Sequence, residues 1–263
     1  MRYLTHLLIL TATFTLVSCS VKEMREACPC RVALDFSNLL PKACAGGEII
    51  TTITGADGKN ARSYRFGTDT CATRYEILLR KGKYTVSSLL TAGESLWSDE
   101  EEGIRLRPGA QSDSLFGEVS HLDASGEESE SKPLALKQFT TLFILFSAPV
   151  SDLLTEVDIP SCFIRTEDLS AVESPFSISR RISGGTAGFR LPRQSGEGLS
   201  VTFFDGGRTQ PLAFVDLAPL LRKNGYDFHA RELSDITLIM DFGEGKATIA
   251  VEDWKESFII VTF

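Results

Sequence analysis

The chain has 263 residues, with 35 acidic against 27 basic side chains, a formal net charge of −8 at pH 7 and 43% hydrophobic residues. The apolar share suffices for a folded core, while the negative balance disfavours nucleic acid and anionic lipid as partners for the body of the protein. With 3 histidines in the whole chain, imidazole-based metal or acid–base chemistry has little to draw on.

Residues 1–18 place Arg2 before the apolar run "YLTHLLILTATFTLV", which falls short of the roughly 20 residues a helix needs to cross a bilayer. This pattern is that of a secretory signal peptide and is set apart from the fold. The run ends in "LVSC", an aliphatic residue and two small ones before Cys19. It resembles the lipobox of bacterial lipoproteins, whose cysteine is diacylated and becomes the first residue of the mature chain. Cys19 is therefore the expected lipidation site, residues 19–27 the polar tether, and lipid the only membrane attachment the sequence offers. About 245 residues remain for the body, enough for one large or two modest domains.

Five cysteines follow Cys19: Cys28, Cys30, Cys44, Cys71 and Cys162. In an oxidising exported compartment they form at most two bridges with one thiol left over. The "CPC" spacing is too tight for a C-x2-C zinc or redox pattern. Alternate residues of a strand share a face, so Cys28 and Cys30 are set to bridge other segments more readily than each other. Pairing with Cys44 or Cys71 would tie the first strand to its domain. Cys28, Cys30, Cys44 and Cys71 are the disulfide candidates, with no connectivity deducible.

"CRVALDF" alternates Val32, Leu34 and Phe36 against Arg31, Ala33 and Asp35, the period of a half-buried strand. Asp57-Gly58 marks a turn between strand-like flanks. Two further strands flank Gly82, with Tyr84, Val86 and Leu89 or Leu90 as core positions. The acidic stretches "SDEEE" at 98–102 and "DASGEESESK" at 123–132 are expected loops, without the regular spacing of a calcium loop. Near Lys132 the texture changes to "LALKQFTTLFILFSAPV", a strand buried on both sides. The domain boundary is placed there, giving units at 28–132 and 133–263.

The second half continues as short strands, "CFIRTEDL", "PFSISRRI", "GFRLP" and "LSVTFFDG", separated by Gly, Ser and Pro. One helix is predicted in "VDLAPLLRKNGYDF", with Leu217, Leu220 and Leu221 on one face and Asn224-Gly225 as its end. A hairpin about residues 243–245 sets Ile236, Leu238 and Met240 against Ile249 and Val251. The closing segment "SFIIVTF" is apolar to its last residue, and Phe258, Ile260 and Phe263 mark it as a pairing strand, either in its own sheet or with another chain.

No catalytic set emerges. His121 and His229 each stand without a second ligand at helical spacing. "RQSGEG" around Ser195 lacks the first glycine of a nucleophile elbow, and "GADGKN" lacks the spacing of a phosphate loop. Trp254 is better explained as a packed aromatic than as a sugar platform. No metal site and no cofactor is assigned.

The combination resembles the anchor and assembly lipoproteins of Bacteroidetes fimbriae, the type V pili. The residues carrying the resemblance are Cys19, Cys28, Pro29 and the strand Val32 to Phe36; Tyr84 and Val86 with Asp113, Ser114, Leu115 and Phe116; Lys137 within "LALKQFTTLFI"; and Ile249, Val251, Asp253 and Trp254. The resemblance implies an all-β protein of two tandem transthyretin-like β-sandwich domains without enzyme activity. It implies a role at the base of a fimbrium, lipid-anchored to the outer membrane at the cell surface, with fimbrillin-type subunits as partners joined by strand addition. The competing expectation is a surface glycan-binding β-sandwich lipoprotein; a glycosidase, needing two carboxylates facing across a cleft, ranks third.

Overall fold

The structure, a computed structural model, describes residues 28–58, 61–92, 96–99, 103–107, 109–207, 210–251 and 257–260. The signal peptide, Cys19, the tether, Trp254 and Phe263 lie outside the described residues. In the first half the strands are β1 (Cys30–Asp35), β2 (Glu48–Gly55), β3 (Arg62–Gly67), β4 (Arg74–Leu79), β5 (Lys83–Ala92), β6 (Leu96–Asp99), β7 (Gly103–Leu106), β8 (Ser114–Asp123) and β9 (Glu128–Ser131). In the second half they are β10 (Phe139–Ile159), β11 (Phe163–Arg165), β12 (Ala171–Val172), β13 (Phe176–Pro192), β14 (Ser200–Phe204), β15 (Pro211–Asp216), β16 (Ile236–Asp241), β17 (Lys246–Val251) and β18 (Ser257–Ile260). The protein is all-β, with one short α-helix among the described residues, α1 (Leu217–Lys223).

Strand β1 lies between β4, antiparallel, and β9, parallel. Val32, Leu34 and Phe36 point into the core as their alternation requires, while Arg31 faces solvent. The strand begins at Cys30, so Cys28 precedes the pleat: Cys30 is fully buried and Cys28 exposed, and the two do not share a face as their spacing suggests. Of the two acidic runs expected as loops, the first has Ser98 and Asp99 in β6, and the second is a loop only over 124–127, between Asp123 at the end of β8 and Glu128 at the start of β9. Its end, "ESES", has the two-residue period of a strand, and its glutamates meet cations across the sheet, Glu128 with Arg31 at 3.3 Å and Glu130 with Arg74 at 3.2 Å. Glu128 faces Arg31 on the neighbouring strand and Glu130 reaches past β1 to Arg74 of β4, and these opposite charges favour the pairing that acidity alone would disfavour.

The second sheet runs β3-β2-β5-β8. One face meets β1 through Ile49, Ile53, Val86, Leu90 and Leu122; the other, with Ile50, Leu89 and Leu115, packs on Ile104, Ile164 and Leu169. Burial on both faces explains the adjacent pairs Ile49-Ile50 and Leu89-Leu90. The third sheet is mixed in origin, β12-β11-β7-β6, joining strands from both halves of the sequence.

The fourth sheet, β15-β14-β10-β16-β17-β18 with β13 on the other side of β10, contains the largest core. Its organiser is β10. The first part pairs in parallel with β16, the last part antiparallel with β14. Between them the buried set changes phase, from Leu142, Ile144 and Phe146 to Leu153, Val157 and Ile159. Irregular pairing between Leu145 and Leu153, with Asp152 at φ 51°, absorbs the change. Opposite it, β13 switches from Ile178 and Ile182 to Phe189 and Leu191 across Gly184-Gly185, so "PFSISRRI" and "GFRLP" are one bent strand rather than two. The bend turns the sheet over on itself: Phe146 of the first part of β10 meets Phe203 of β14 at 5.9 Å between ring centroids, and Phe203 meets Phe242 at 5.7 Å.

Helix α1 buries Leu217, Ala218 and Leu221. Gly225, at φ +75°, ends it: its N–H donates to the Arg222 carbonyl at 2.9 Å and that of Tyr226 to the Leu221 carbonyl at 2.9 Å, the paired bonds of a Schellman stop. The hairpin β16–β17 has the register read from the sequence, with Ile236 opposite Val251 and Leu238 opposite Ile249.

Candidate functional site

Of the expected lipidation, disulfide and strand-pairing residues, the structure describes the cysteines after Cys19 and two positions of the closing strand. Cys28, Cys30, Cys44, Cys71 and Cys162 are all free thiols. Burial raises the thiol pKa of Cys30, with Lys81 opposing, and also that of Cys71, where a hydrogen bond with Tyr75 opposes. Phe258 and Ile260 belong to β18, which pairs antiparallel with β17, Phe258 opposite Thr248 and Ile260 opposite Lys246. Ser257–Ile260, the described part of the closing segment, thus pair within the chain's own sheet.

Three strands of the seven-stranded sheet pair with one neighbour only among the described residues: β18, β15 and, beside β10, β13. Along β15, Ala213 and Val215 point inward while Leu212 and Phe214 are 47% and 55% exposed. An end strand offers unpaired backbone donors and acceptors, and here the side chains that flank them are apolar. The strand itself contains no lysine, and Pro211 at its start blunts pairing.

A second feature lies where the β8 side of the molecule meets the fourth sheet. A cleft of about 240 Å³ is lined by Glu118, Gln138, Ser170, Arg193, His229 and Arg231 among others. Arg193, 7% exposed, donates from Nη1 to the Phe228 carbonyl at 3.0 Å and from Nη2 to Gln138 Oε1 at 2.6 Å and the Ala230 carbonyl at 2.9 Å. Burial lowers its pKa, and the nearby Tyr226 and Asp227 oppose this. Gln138 Nε2 donates in turn to the carbonyls of Gly117 at 2.9 Å and Arg231 at 3.1 Å. Glu118, 5% exposed, accepts from the Leu134 N–H at 2.6 Å and pairs with Arg231. Lys137, singled out by the resemblance, pairs with Asp235, whose carboxylate also accepts from the Thr141 N–H at 2.6 Å. These bonds tie β8, the segment leading into β10, the residue after β13 and the loop after α1 into one joint. The cleft has no Trp, Tyr or Phe among its lining residues, so a sugar ring finds no stacking platform there. Sequence reading missed this joint, because Gln138 and Arg193 lie 55 residues apart in no motif.

Among the described residues no group of three His, Cys, Asp or Glu converges as a metal site. Neither a protein-family profile nor a curated protein matches the sequence. Solved structures do match. The fimbrial anchor protein Mfa2 of Porphyromonas gingivalis superposes with a TM-score of 0.60 at 15% identity, covering 90% of this chain and 100% of that one. The chain has the fold of a fimbrial anchor. The same fold is found in a candidate adhesin of Bacteroides thetaiotaomicron, with a TM-score of 0.61 at 14% identity over 88% of this chain and 99% of that one. A candidate polysaccharide-binding protein of the same organism matches with a TM-score of 0.57 at 12% identity over 88% of this chain and 98% of its own. The shared fold therefore covers 90% of this chain in the first of these matches and 88% in the second, and these neighbours are described as a fimbrial anchor and an adhesin rather than as enzymes.

Proposed function

We propose that this protein is a lipoprotein of the outer membrane that anchors a fimbrium at the cell surface and helps to assemble it. The observation that carries the reading is the likeness to the P. gingivalis fimbrial anchor over the full length of that chain. Acyl chains on Cys19 hold the protein to the membrane and residues 19–27 space the body from it. The body is two tandem transthyretin-like sandwiches, 28–132 and 133–263. In support, the first two sheets draw only on residues 30–131 and the seven-stranded sheet only on 139–260, while the mixed sheet and the Arg193 joint couple the units. The role is structural and not catalytic.

Fimbrillin-type subunits join by β-strand addition. The end strands β15 and β18 supply the edges, and β15 adds Leu212 and Phe214 at the alternate positions where an incoming strand is read by side-chain contact. A glycan-binding role is the second reading, favoured by the polysaccharide-binding description of one structural neighbour. The lack of a Trp, Tyr or Phe among the described residues that line the cleft weighs against it.

The test combines two variants in the native host. Cys19→Ala should abolish acyl labelling and membrane retention, leaving fibres detached. Leu212→Lys with Phe214→Lys should leave the protein folded and membrane-bound, because both side chains are exposed, yet reduce recovery of fimbrial subunits in a detergent pull-down. Fibres of unchanged length and attachment in a strain lacking the protein would rule the anchor reading out.

A further inference from the structure

The five described cysteines are free thiols, yet the strand layout sorts them into places that can and cannot be joined. Strand β1 is the ruler. At one end Cys30 lies opposite Leu79, Arg31 N–H donates to the Glu127 carbonyl at 2.8 Å, and Ala124 N–H closes on the Gly82 carbonyl at 2.8 Å. At the other end Phe36 N–H donates to the Thr73 carbonyl at 2.8 Å, and the rings of Phe36, Phe66 and Tyr75 pack together. Six residue steps of extended chain separate Cys30 from Phe36, roughly 20 Å, whereas a disulfide needs Cα atoms within about 7 Å. Cys71, two residues before Thr73, is therefore out of reach of Cys30. Cys162 is buried in the core of the seven-stranded sheet, away from the cluster that Cys71 borders.

Cys44 is at the right end. It follows the 3-10 turn Leu40–Lys42, which itself follows Phe36, and it opens the tight turn that leads into β2. Gly47 N–H donates to the Cys44 carbonyl at 3.1 Å. Cys71 comes directly after the tight turn that leaves β3, closed by Thr70 N–H on the Gly67 carbonyl at 3.2 Å. The two turns sit side by side at the open mouth of the β2–β3 hairpin, where Glu48 pairs with Gly67. Hydrogen bonds lace them together: Thr68 N–H to the Gly47 carbonyl at 2.8 Å, Thr68 Oγ1 to the carbonyls of Cys44 at 3.0 Å and Gly47 at 2.9 Å, and Gly46 N–H to the Asp69 carboxylate at 3.2 Å. Cys44 is exposed and Cys71 partly so.

We propose that Cys44 and Cys71 form a disulfide across the mouth of the β2–β3 hairpin, and that Cys28, Cys30 and Cys162 remain outside it. The inference rests on the exported location proposed above for its oxidant, a protein disulfide of the thiol-oxidase class. The exposed Cys44 thiolate attacks that disulfide, forming a mixed disulfide and releasing one oxidase thiolate. The Cys71 thiolate then attacks the Cys44 sulfur of the mixed disulfide, closing the Cys44–Cys71 bond and expelling the second oxidase thiolate. Two electrons pass to the oxidase, which leaves as a dithiol with the two protons the cysteines gave up. The bridge closes the end of the hairpin where the strands have no turn to join them.

The experiment is peptide mapping of the full chain, alkylated with iodoacetamide and digested without reductant. It is run on protein taken directly from cells and on the same protein after native oxidation with oxidised glutathione. A Cys44–Cys71 linked peptide in both samples, with Cys28, Cys30 and Cys162 alkylated, is the expected result. Linkage only after glutathione treatment upholds the pairing and counts against the exported location. Alkylation of Cys44 and Cys71 in both samples, or a peptide linking Cys71 to Cys28 or Cys30, overturns the proposal. In Cys44→Ser, Cys71 should become alkylated with no new bridge; a bridge from Cys71 to another cysteine there also overturns it.

Discussion

At Tyr226 a single phenol is tied to the stability of the fold. It is buried beside Phe228, its hydroxyl is 2.6 Å from Thr140 Oγ1, and burial pushes its pKa up to about 12 against the opposing effects of Thr140 and Arg193. An unfolded tyrosine ionises near pH 10, so as pH rises the unfolded chain releases its proton while the folded one still holds it. Stability from this group is complete below about pH 10 and is lost as pH climbs towards about 12, a loss of about 2–3 kcal/mol. Urea unfolding of wild type and Tyr226→Phe should give stability curves that diverge above about pH 10, with the wild type falling more steeply. Parallel curves would mean that the phenol is not held neutral. The residue stands next to the Asn224-Gly225 stop legible in the sequence, but nothing there told that its hydroxyl would meet Thr140, 86 residues earlier.

Among elements, β10 shows most plainly what a pattern carries and what it conceals. Its apolar run reads as a strand buried on both sides, but the first part is buried on one face only: Ile144 is fully buried while Phe143 next to it is 43% exposed. Ile144→Asp should cost at least about 4 kcal/mol, since it leaves a carboxylate in an apolar core, whereas Phe143→Asp should cost about 1 kcal/mol or less. Denaturant midpoints of the two variants check the facing directly, and equal losses would refute the assigned register. The length of β10 was hidden, because "SAPVSD" carries the turn-like residues of a strand end while the structure uses them to bend one strand between two pairings. The same holds for Gly184-Gly185 in β13. For β9 the concealment was electrostatic: Glu128 and Glu130 look like loop residues until Arg31 and Arg74 are placed across from them.

On the scale of the whole molecule, the Arg193 joint connects the parts. Arg193→Met should leave the carbonyls of Phe228 and Ala230 and the Gln138 amide oxygen without their donor, at a cost of about 3 kcal/mol. Thermal and urea unfolding measure it, and a loss below about 1 kcal/mol would show that the joint does not bear on stability. The sequence by itself determined the all-β class, the helix α1 with its glycine stop, the β16–β17 hairpin register and the inward face of β1, because each follows from periodicity and turn chemistry within a few neighbouring residues. It also named the cysteines, but not their places in the sheets. Those were decided only by the tertiary structure, as were the parallel pairing of β9 with β1, the bends of β10 and β13 and the Gln138–Arg193 network. These depend on which distant segments the sheets bring together, and local sequence holds no record of that.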